Sequence, residues 1–173
     1  MMVLLVTCRR APASDAPQFA WNVDEQRGTA DLSVAGQPVV RYMFAHDFST
    51  LARRDETYKV FHHVFAPGTK TLATKGAGGD YPHHRGIFLG FRLTKYGGTY
   101  TDFWHCKPET QKDGGCQKHV RFVETAGDAQ RATMTSEIHW INAGGKPVVA
   151  ESRTLDVRKL PVEIGRASCR ERV

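Results

Sequence analysis

The stretch RATMTSEIHWI, residues Arg131–Ile141, is the clearest structural signal in the chain. Between its small and apolar positions stand arginine, threonine, glutamate and histidine side chains in strict alternation. Side chains of a β-strand point to opposite faces in turn, whereas a helix repeats every 3.6 residues. The alternation therefore predicts a strand with one face against a core, formed by Ala132, Met134, Ser136, Ile138 and Trp140.

The sequence on both sides of this stretch extends the β pattern. Residues 142–146 read NAGGK, a typical turn composition, and residues 147–157 return as a partner strand, which predicts a long hairpin. Residues 86–93 are almost continuously apolar, as in a strand covered on both faces. No segment convincingly predicts a helix. Further strands are expected at residues 32–35, 38–44, 58–65 and 118–124, the first two forming a hairpin around Gly36-Gln37. The predicted fold class is all-β, an antiparallel β-sandwich or barrel-like sheet stack.

Composition limits the classes of function. The 173 residues are 40% hydrophobic and 24% charged, as expected for one globular domain. The net charge of +6 comes from scattered basic residues without a run that would follow a phosphate backbone, so no nucleic-acid partner is predicted. No apolar segment approaches the roughly 20 residues that cross a bilayer, so no membrane span is predicted.

The two ends of the chain carry separate expectations. Residues 1–18 are interpreted as a leader or the remnant of an export signal, which predicts a periplasmic or extracellular protein. Residues 19–162 are interpreted as the N-terminal part of a single β-sandwich domain. Residues 163–173 read EIGRASCRERV and resemble a translated sequencing adapter, so the native reading frame is expected to be truncated near Val162.

Two cysteines within the predicted domain allow two interpretations. Cys106 and Cys116 flank a hairpin-like stretch and would form a disulfide in an exported protein. With His105 and His119 they would instead provide four zinc ligands, although the spacing is not that of a familiar zinc finger.

A stiff polar turn is the first candidate site. Residues 79–86 read GDYPHHRG, and the proline fixes its own φ while the final glycine permits a close backbone approach. Asp80, His83, His84 and Arg85 are thus held in place instead of moving freely. Rigid polar turns beside a sheet are frequent positions for binding and catalytic groups.

Three further clusters add chemistry. Adjacent His62 and His63 lie in a predicted strand, so only one of them can face a given cleft. Residues 101–105 read TDFWH and place a carboxylate and an imidazole beside two aromatic rings. Glu151 and Arg153 share an apolar strand face, where a charged pair is either a structural ion pair or a site.

Converging clusters would suit a carbohydrate, because aromatic faces cover sugar C–H groups while charged groups hold hydroxyls. The ligand partner is therefore predicted to be a small molecule or a glycan. Imidazoles with a carboxylate also suit a divalent metal, so the cofactor is left open. The residues predicted to be catalytic are His83, His84, Arg85, Asp102 and Glu151; those predicted to bind substrate are Asp80, Trp104, His105, His63 and Arg153.

The ordered blocks DYPHHRGIF (residues 80–88), TDFWH (101–105), WINAGGK (140–146) and ESRTL (151–155) resemble the bacterial family catalogued as "methane oxygenase PmoA". The resemblance implies an exported protein of polysaccharide-degrading bacteria that runs beyond this chain's length. It also implies a sandwich similar to galactose mutarotases, which bind sugars on a concave sheet. The family label implies, as an alternative, a metal-dependent oxidoreductase. A non-catalytic structural or partner-binding domain is the third possibility.

Overall fold

The computed structural model describes residues 17–106 and 114–160. Within these ranges the chain is mostly β, with three antiparallel sheets and one short helix. The predicted all-β antiparallel class is therefore confirmed. The elements are β1 (Phe19–Asp24), β2 (Thr29–Val34), β3 (Gln37–Met43), α1 (Leu51–Thr57), β4 (Phe61–Val64), β5 (Thr94–Tyr96), β6 (Thr99–Thr101), β7 (Cys116–Gly127), β8 (Arg131–Ile141) and β9 (Pro147–Arg158).

The stretch that dominated the sequence pattern is the central strand of a three-stranded sheet, in the order β7-β8-β9. The predicted hairpin of β8 and β9 is confirmed, with Arg131 opposite Arg158 at its open end. Strand β8 buries alternate side chains from Ala132 to Trp140, as the period-2 pattern predicted.

The second large sheet has four strands in the order β1-β2-β3-β4. Strands β2 and β3 form the second predicted hairpin, but the turn lies one residue earlier than predicted, at Ala35 and Gly36, both with positive φ, because Gln37 of β3 already pairs with Val34 of β2. Positive φ at both central residues is the requirement of the tightest hairpin turns. A third, two-stranded sheet consists of β5 and β6.

The two large sheets share one apolar core. Tyr42 of β3 and Phe44, directly after the end of β3, pack in one apolar cluster with three residues of β8: Met134, Ile138 and Trp140. A second, smaller cluster joins Leu32 and other β1–β3 residues to Ala132. Burial of these side chains at about 25 cal/mol per Å² is the main force that holds the sheets together.

Helix α1 corrects the expectation of no helix. The Thr50 hydroxyl caps it by accepting a hydrogen bond from the Arg53 main-chain N–H at 3.1 Å. At the other end of α1, the Thr57 hydroxyl lies within hydrogen-bond distance of the Arg53 carbonyl. It also bonds to the main-chain N–H and carbonyl of Asp47. Most residues of α1 are exposed, so the helix has no apolar periodicity that a sequence pattern would detect.

The apolar run at residues 86–93 was wrongly predicted to be a buried strand. Among the described residues, its β-bridge is the isolated one between Ile87 and His62, and Leu89 and Leu93 are 44% and 67% exposed. The segment crosses other main chain at close range: a Cβ on Gly86 would lie 2.1 Å from the His62 carbonyl oxygen. Gly86 has no side chain, so the segment can pass this close to the main chain of β4 at His62 without forming a regular strand.

In the described ranges, no helix has the length and apolar character that a membrane crossing requires. The predicted leader, apart from residues 17 and 18, and the predicted non-native tail at 163–173 lie outside the described residues.

Candidate functional site

The polar turn at residues 79–86, which we call the histidine turn, has its histidine rings near the surface and several local contacts. The His84 main-chain N–H donates to the Tyr81 carbonyl at 3.0 Å, and Lys75 Nζ donates to the same carbonyl at 2.6 Å. The Tyr81 and His84 rings stack with centroids 5.5 Å apart, and the His83 ring packs edge-on to His84 at 4.3 Å. Asp80 is exposed at the start of the turn.

A second turn, at residues 102–105, is built around a buried carboxylate. Asp102 is 4% exposed and accepts hydrogen bonds from the main-chain N–H groups of Trp104 and His105 at 2.8 and 2.9 Å. Its other oxygen lies 2.7 Å from His105 Nδ1. Burial opposes ionisation, but these hydrogen bonds outweigh it and hold the pKa of Asp102 below its usual value.

The contact with Asp102 determines which nitrogen of the His105 imidazole donates to the carboxylate. An ionised carboxylate only accepts hydrogen bonds, so His105 Nδ1 carries the proton that it donates. In the neutral imidazole, Nε2 then has the lone pair and can accept a proton from a ligand. The pair has the arrangement of a general base with its orienting carboxylate.

The two turns meet side by side. The His83 ring centroid lies 4.6 Å from that of His105 and 6.4 Å from that of Trp104, while His84 lies 6.0 Å from Trp104. We call Tyr81, His83, His84, Trp104 and His105 the imidazole–aromatic surface. An open cavity of about 450 Å³ adjoins it, which we call the outer cavity; it is lined by Thr74, Lys75, His84, Arg85, Gly86, Phe88 and Trp104.

Lys59 ties the two turns together, a role that the sequence analysis missed. Its side chain is 1% exposed, and Nζ donates to the main-chain carbonyls of Trp104 and His83. Nζ also lies 3.9 Å from the centroid of the Phe88 ring. Burial lowers the pKa of Lys59 to about 8. The only sequence signal is a lysine placed within the otherwise apolar run at residues 58–61.

Arg85 points into the interior instead of towards the surface formed by its neighbours. It is 1% exposed and lies over the Tyr58 ring, 4.0 Å from the centroid. Its three nitrogens donate to the carbonyls of Asp55 and Glu56 in α1 and of Pro82. The guanidinium thus satisfies main-chain carbonyls near the end of a helix, which does not fit the prediction that it contacts substrate.

Glu151 and Arg153 lie on β9 and form a bidentate ion pair, with nitrogen–oxygen distances of 2.6 and 3.0 Å. Trp140 Nε1 donates to the same carboxylate at 2.7 Å. With His62 they line a cavity of about 370 Å³, which we call the inner cavity. None of the described contacts joins this ion pair to the imidazole–aromatic surface.

The adjacent histidines of β4 face opposite sides, as the strand geometry predicted. His62 lines the inner cavity beside Glu151 and Arg153, a position that the sequence analysis had not assigned to it. His63, predicted to bind substrate, has Nδ1 3.0 Å from Thr74 Oγ1 and lines a different cavity, of about 340 Å³. Burial lowers its pKa.

Cys106 and Cys116 are both free and buried, so the disulfide expected as one alternative does not form. The zinc alternative is not assembled either, because His119 packs against Tyr42 and Phe44 while His105 is bonded to Asp102. Among the described residues, no group of three or more His, Cys, Asp and Glu side chains is placed to hold a metal ion.

The described residues define a mostly β protein with a candidate site of imidazoles and aromatic rings beside a buried carboxylate. Residues 29–167 match the model of a family of unknown function, DUF6807, and the chain belongs to that family. No curated protein and no solved structure matches the chain.

Proposed function

We propose that this chain is a carbohydrate-binding or carbohydrate-processing protein, exported to the periplasm or the outside of the cell, and that sugar binds at the imidazole–aromatic surface. The observation that carries the proposal is the 2.7 Å hydrogen bond between Asp102 and His105, whose ring contacts the His83 ring that in turn contacts Trp104. It supplies an oriented proton acceptor next to an apolar face.

Sugars need both of these features. Their ring C–H faces pack on aromatic side chains, and their hydroxyl groups exchange hydrogen bonds with polar ones. Trp104 and Tyr81 offer the aromatic faces, and His84 lies between them, stacked on the Tyr81 ring. Because His105 Nδ1 donates to Asp102, Nε2 can accept a hydrogen bond from a sugar hydroxyl. It can also take the proton of that hydroxyl.

The resemblance to the family catalogued as "methane oxygenase PmoA" supports the same proposal. Two of the blocks on which the resemblance rests, residues 80–88 and 101–105 of this chain, contain the two turns that meet at the imidazole–aromatic surface. The sandwich similar to galactose mutarotases that this resemblance implies would make the protein a sugar binder.

Binding of a glycan panel to the purified chain tests the proposal, with Trp104→Ala and His105→Ala as site variants. We expect each variant to weaken binding about tenfold or more, which corresponds to about 1.4 kcal/mol. The matched control is His139→Asn, a partly exposed histidine of β8 that pairs with Glu137 away from the surface. Equal binding by all four proteins, or no binding of any glycan to the wild type, would contradict the proposal.

The name of the resembled family, "methane oxygenase PmoA", implies metal-dependent oxidation as the alternative function, although the described residues contain no group of three or more His, Cys, Asp and Glu placed to hold a metal ion. Metal analysis of the purified protein, followed by substitution of His83 and His84, separates it from sugar binding. Stoichiometric metal that is lost in the His83→Ala variant would favour oxidation over the carbohydrate proposal.

A further inference from the structure

The inner cavity combines a polar end with an apolar wall. His62, Glu151 and Arg153 form the polar end, and the apolar wall is made by Ile87, Phe88, Leu89 and Leu155. Its volume of about 370 Å³ falls within the roughly 300–1,000 Å³ of small-molecule sites. The cavity is therefore large enough to receive a sugar ring.

Two polar atoms at this end lack a hydrogen-bond partner within the described residues. They are His62 Nε2, on a residue that is 3% exposed, and Arg153 Nη1, on a side chain that is 15% exposed. Leaving a buried donor without a partner is unfavourable, and native proteins rarely do so unless a ligand or water satisfies it. Arg153 Nη1 can donate to a ligand oxygen, and His62 Nε2 can accept from or donate to a ligand hydroxyl according to the tautomer of the neutral ring.

The charges around the inner cavity favour an uncharged ligand. Glu151 neutralises Arg153 through two hydrogen bonds, so the pair carries no net charge. Burial, reinforced by the Arg153 charge, lowers the pKa of His62 to about 4, so that its ring is neutral at pH 7. An anion here would meet the Glu151 carboxylate without an unpaired cation to compensate it.

The inner and outer cavities share one wall. Phe88 lines both, and the short segment from His84 to Leu89 supplies residues to each. Leu89 is five residue steps along the chain from His84, a span of at most about 18 Å. A chain of a few sugar units covers such a distance, whereas a single ring occupies one cavity.

We propose that the two cavities are neighbouring subsites for one uncharged oligosaccharide, with one sugar unit beside Trp104 and another beside His62 and Arg153. This inference rests on the proposed function and names its substrate class: a neutral glycan of at least two units. Phe88 separates the two units and contacts both.

Calorimetry on the intact chain tests it with glucose, galactose, mannose and xylose and their β-1,4-linked di- and trisaccharides. For the sugar that binds, we expect affinity to rise about tenfold or more from one unit to three. Leu89→Trp, which fills the inner cavity from a half-exposed position, should abolish this gain and leave the single sugar unaffected. Its control is Leu93→Trp, exposed on the same segment and outside both cavities, which should keep the gain.

The outcomes separate the two proposals. Affinity that does not depend on length, or a gain that survives Leu89→Trp, overturns the two-subsite inference and leaves an inner cavity filled by water. Single-sugar binding that Trp104→Ala weakens would still uphold the surface site in that case. No binding of any sugar to the wild type overturns both.

Discussion

Replacing Lys59 with methionine tests the least expected feature of the site. Lys59 is a buried cation whose nearest partners are two main-chain carbonyls and the Phe88 ring; no carboxylate is bonded to it among the described contacts. Methionine preserves much of the aliphatic volume but removes the charge. The substitution therefore removes the titrating charge together with its two hydrogen bonds to the turns.

The expected change in the free energy of unfolding follows from the lowered pKa of Lys59. Burial lowers the pKa of Lys59 from 10.5 to about 8, with smaller opposing effects from Cys106 and Asp102 and a reinforcing one from Arg85. Each pKa unit corresponds to about 1.36 kcal/mol, so the protonated amine reduces the free energy of unfolding by about 3 kcal/mol at pH 7. Above pH 8 the native protein loses this proton while the unfolded chain keeps it up to about pH 10.5. The contribution of Lys59 to the free energy of unfolding should therefore rise with pH across that interval.

Urea unfolding at several pH values between 7 and 10.5 measures the effect. We expect the wild-type free energy of unfolding to rise relative to that of Lys59→Met by up to about 3 kcal/mol over this range. Lys146→Met, at an exposed position in the β8–β9 turn, is the control and should follow the wild type. Parallel curves for the wild type and Lys59→Met would refute the reasoning.

Three further outcomes test the surroundings of the site. Arg85→Met should lower the free energy of unfolding by about 3 kcal/mol in urea titration, because three main-chain carbonyls lose a charged donor; an unchanged midpoint would contradict the interior placement. Gly86→Ala should cost more than about 1 kcal/mol in the same assay, since its Cβ would meet the His62 carbonyl at 2.1 Å; a neutral effect would show that this crossing is loose. Burial raises the pKa of Cys106 to about 12 and of Cys116 to about 11, so mass-spectrometric mapping should find both unlabelled by a thiol reagent at pH 8 until urea is added; labelling of the native protein would refute their burial.

The large hairpin was predictable because its signal is local. Alternation along β8 depends only on which face meets the core, and the structure buries that face from Ala132 to Trp140. The same rule placed His62 and His63 on opposite sides of β4. Even within the three-stranded sheet the rule has a limit: β7 contains two register shifts, near His119 and Phe122, that no period-2 pattern reveals.

The orientation of the other site residues depends on contacts between parts of the chain that are distant in sequence. Arg85 faces inward because carbonyls 29 and 30 residues away accept its hydrogen bonds. Lys59 reaches Trp104, 45 residues along the chain. The sequence pattern identified side chains that are capable of catalysis or binding. It did not show whether each of them points to the surface or into the interior. For residues 86–93 it mistook an exposed apolar segment for a covered strand.

The Arg85 guanidinium has a consequence for motion. A helix of seven residues is too short to persist alone in water, so α1 relies on its surroundings. Because Arg85 clamps the carbonyls of Asp55 and Glu56 while its main chain continues from His84, unwinding of α1 and displacement of the histidine turn form one cooperative opening. A ligand that immobilises the turn would thereby slow amide exchange in a helix that it never touches.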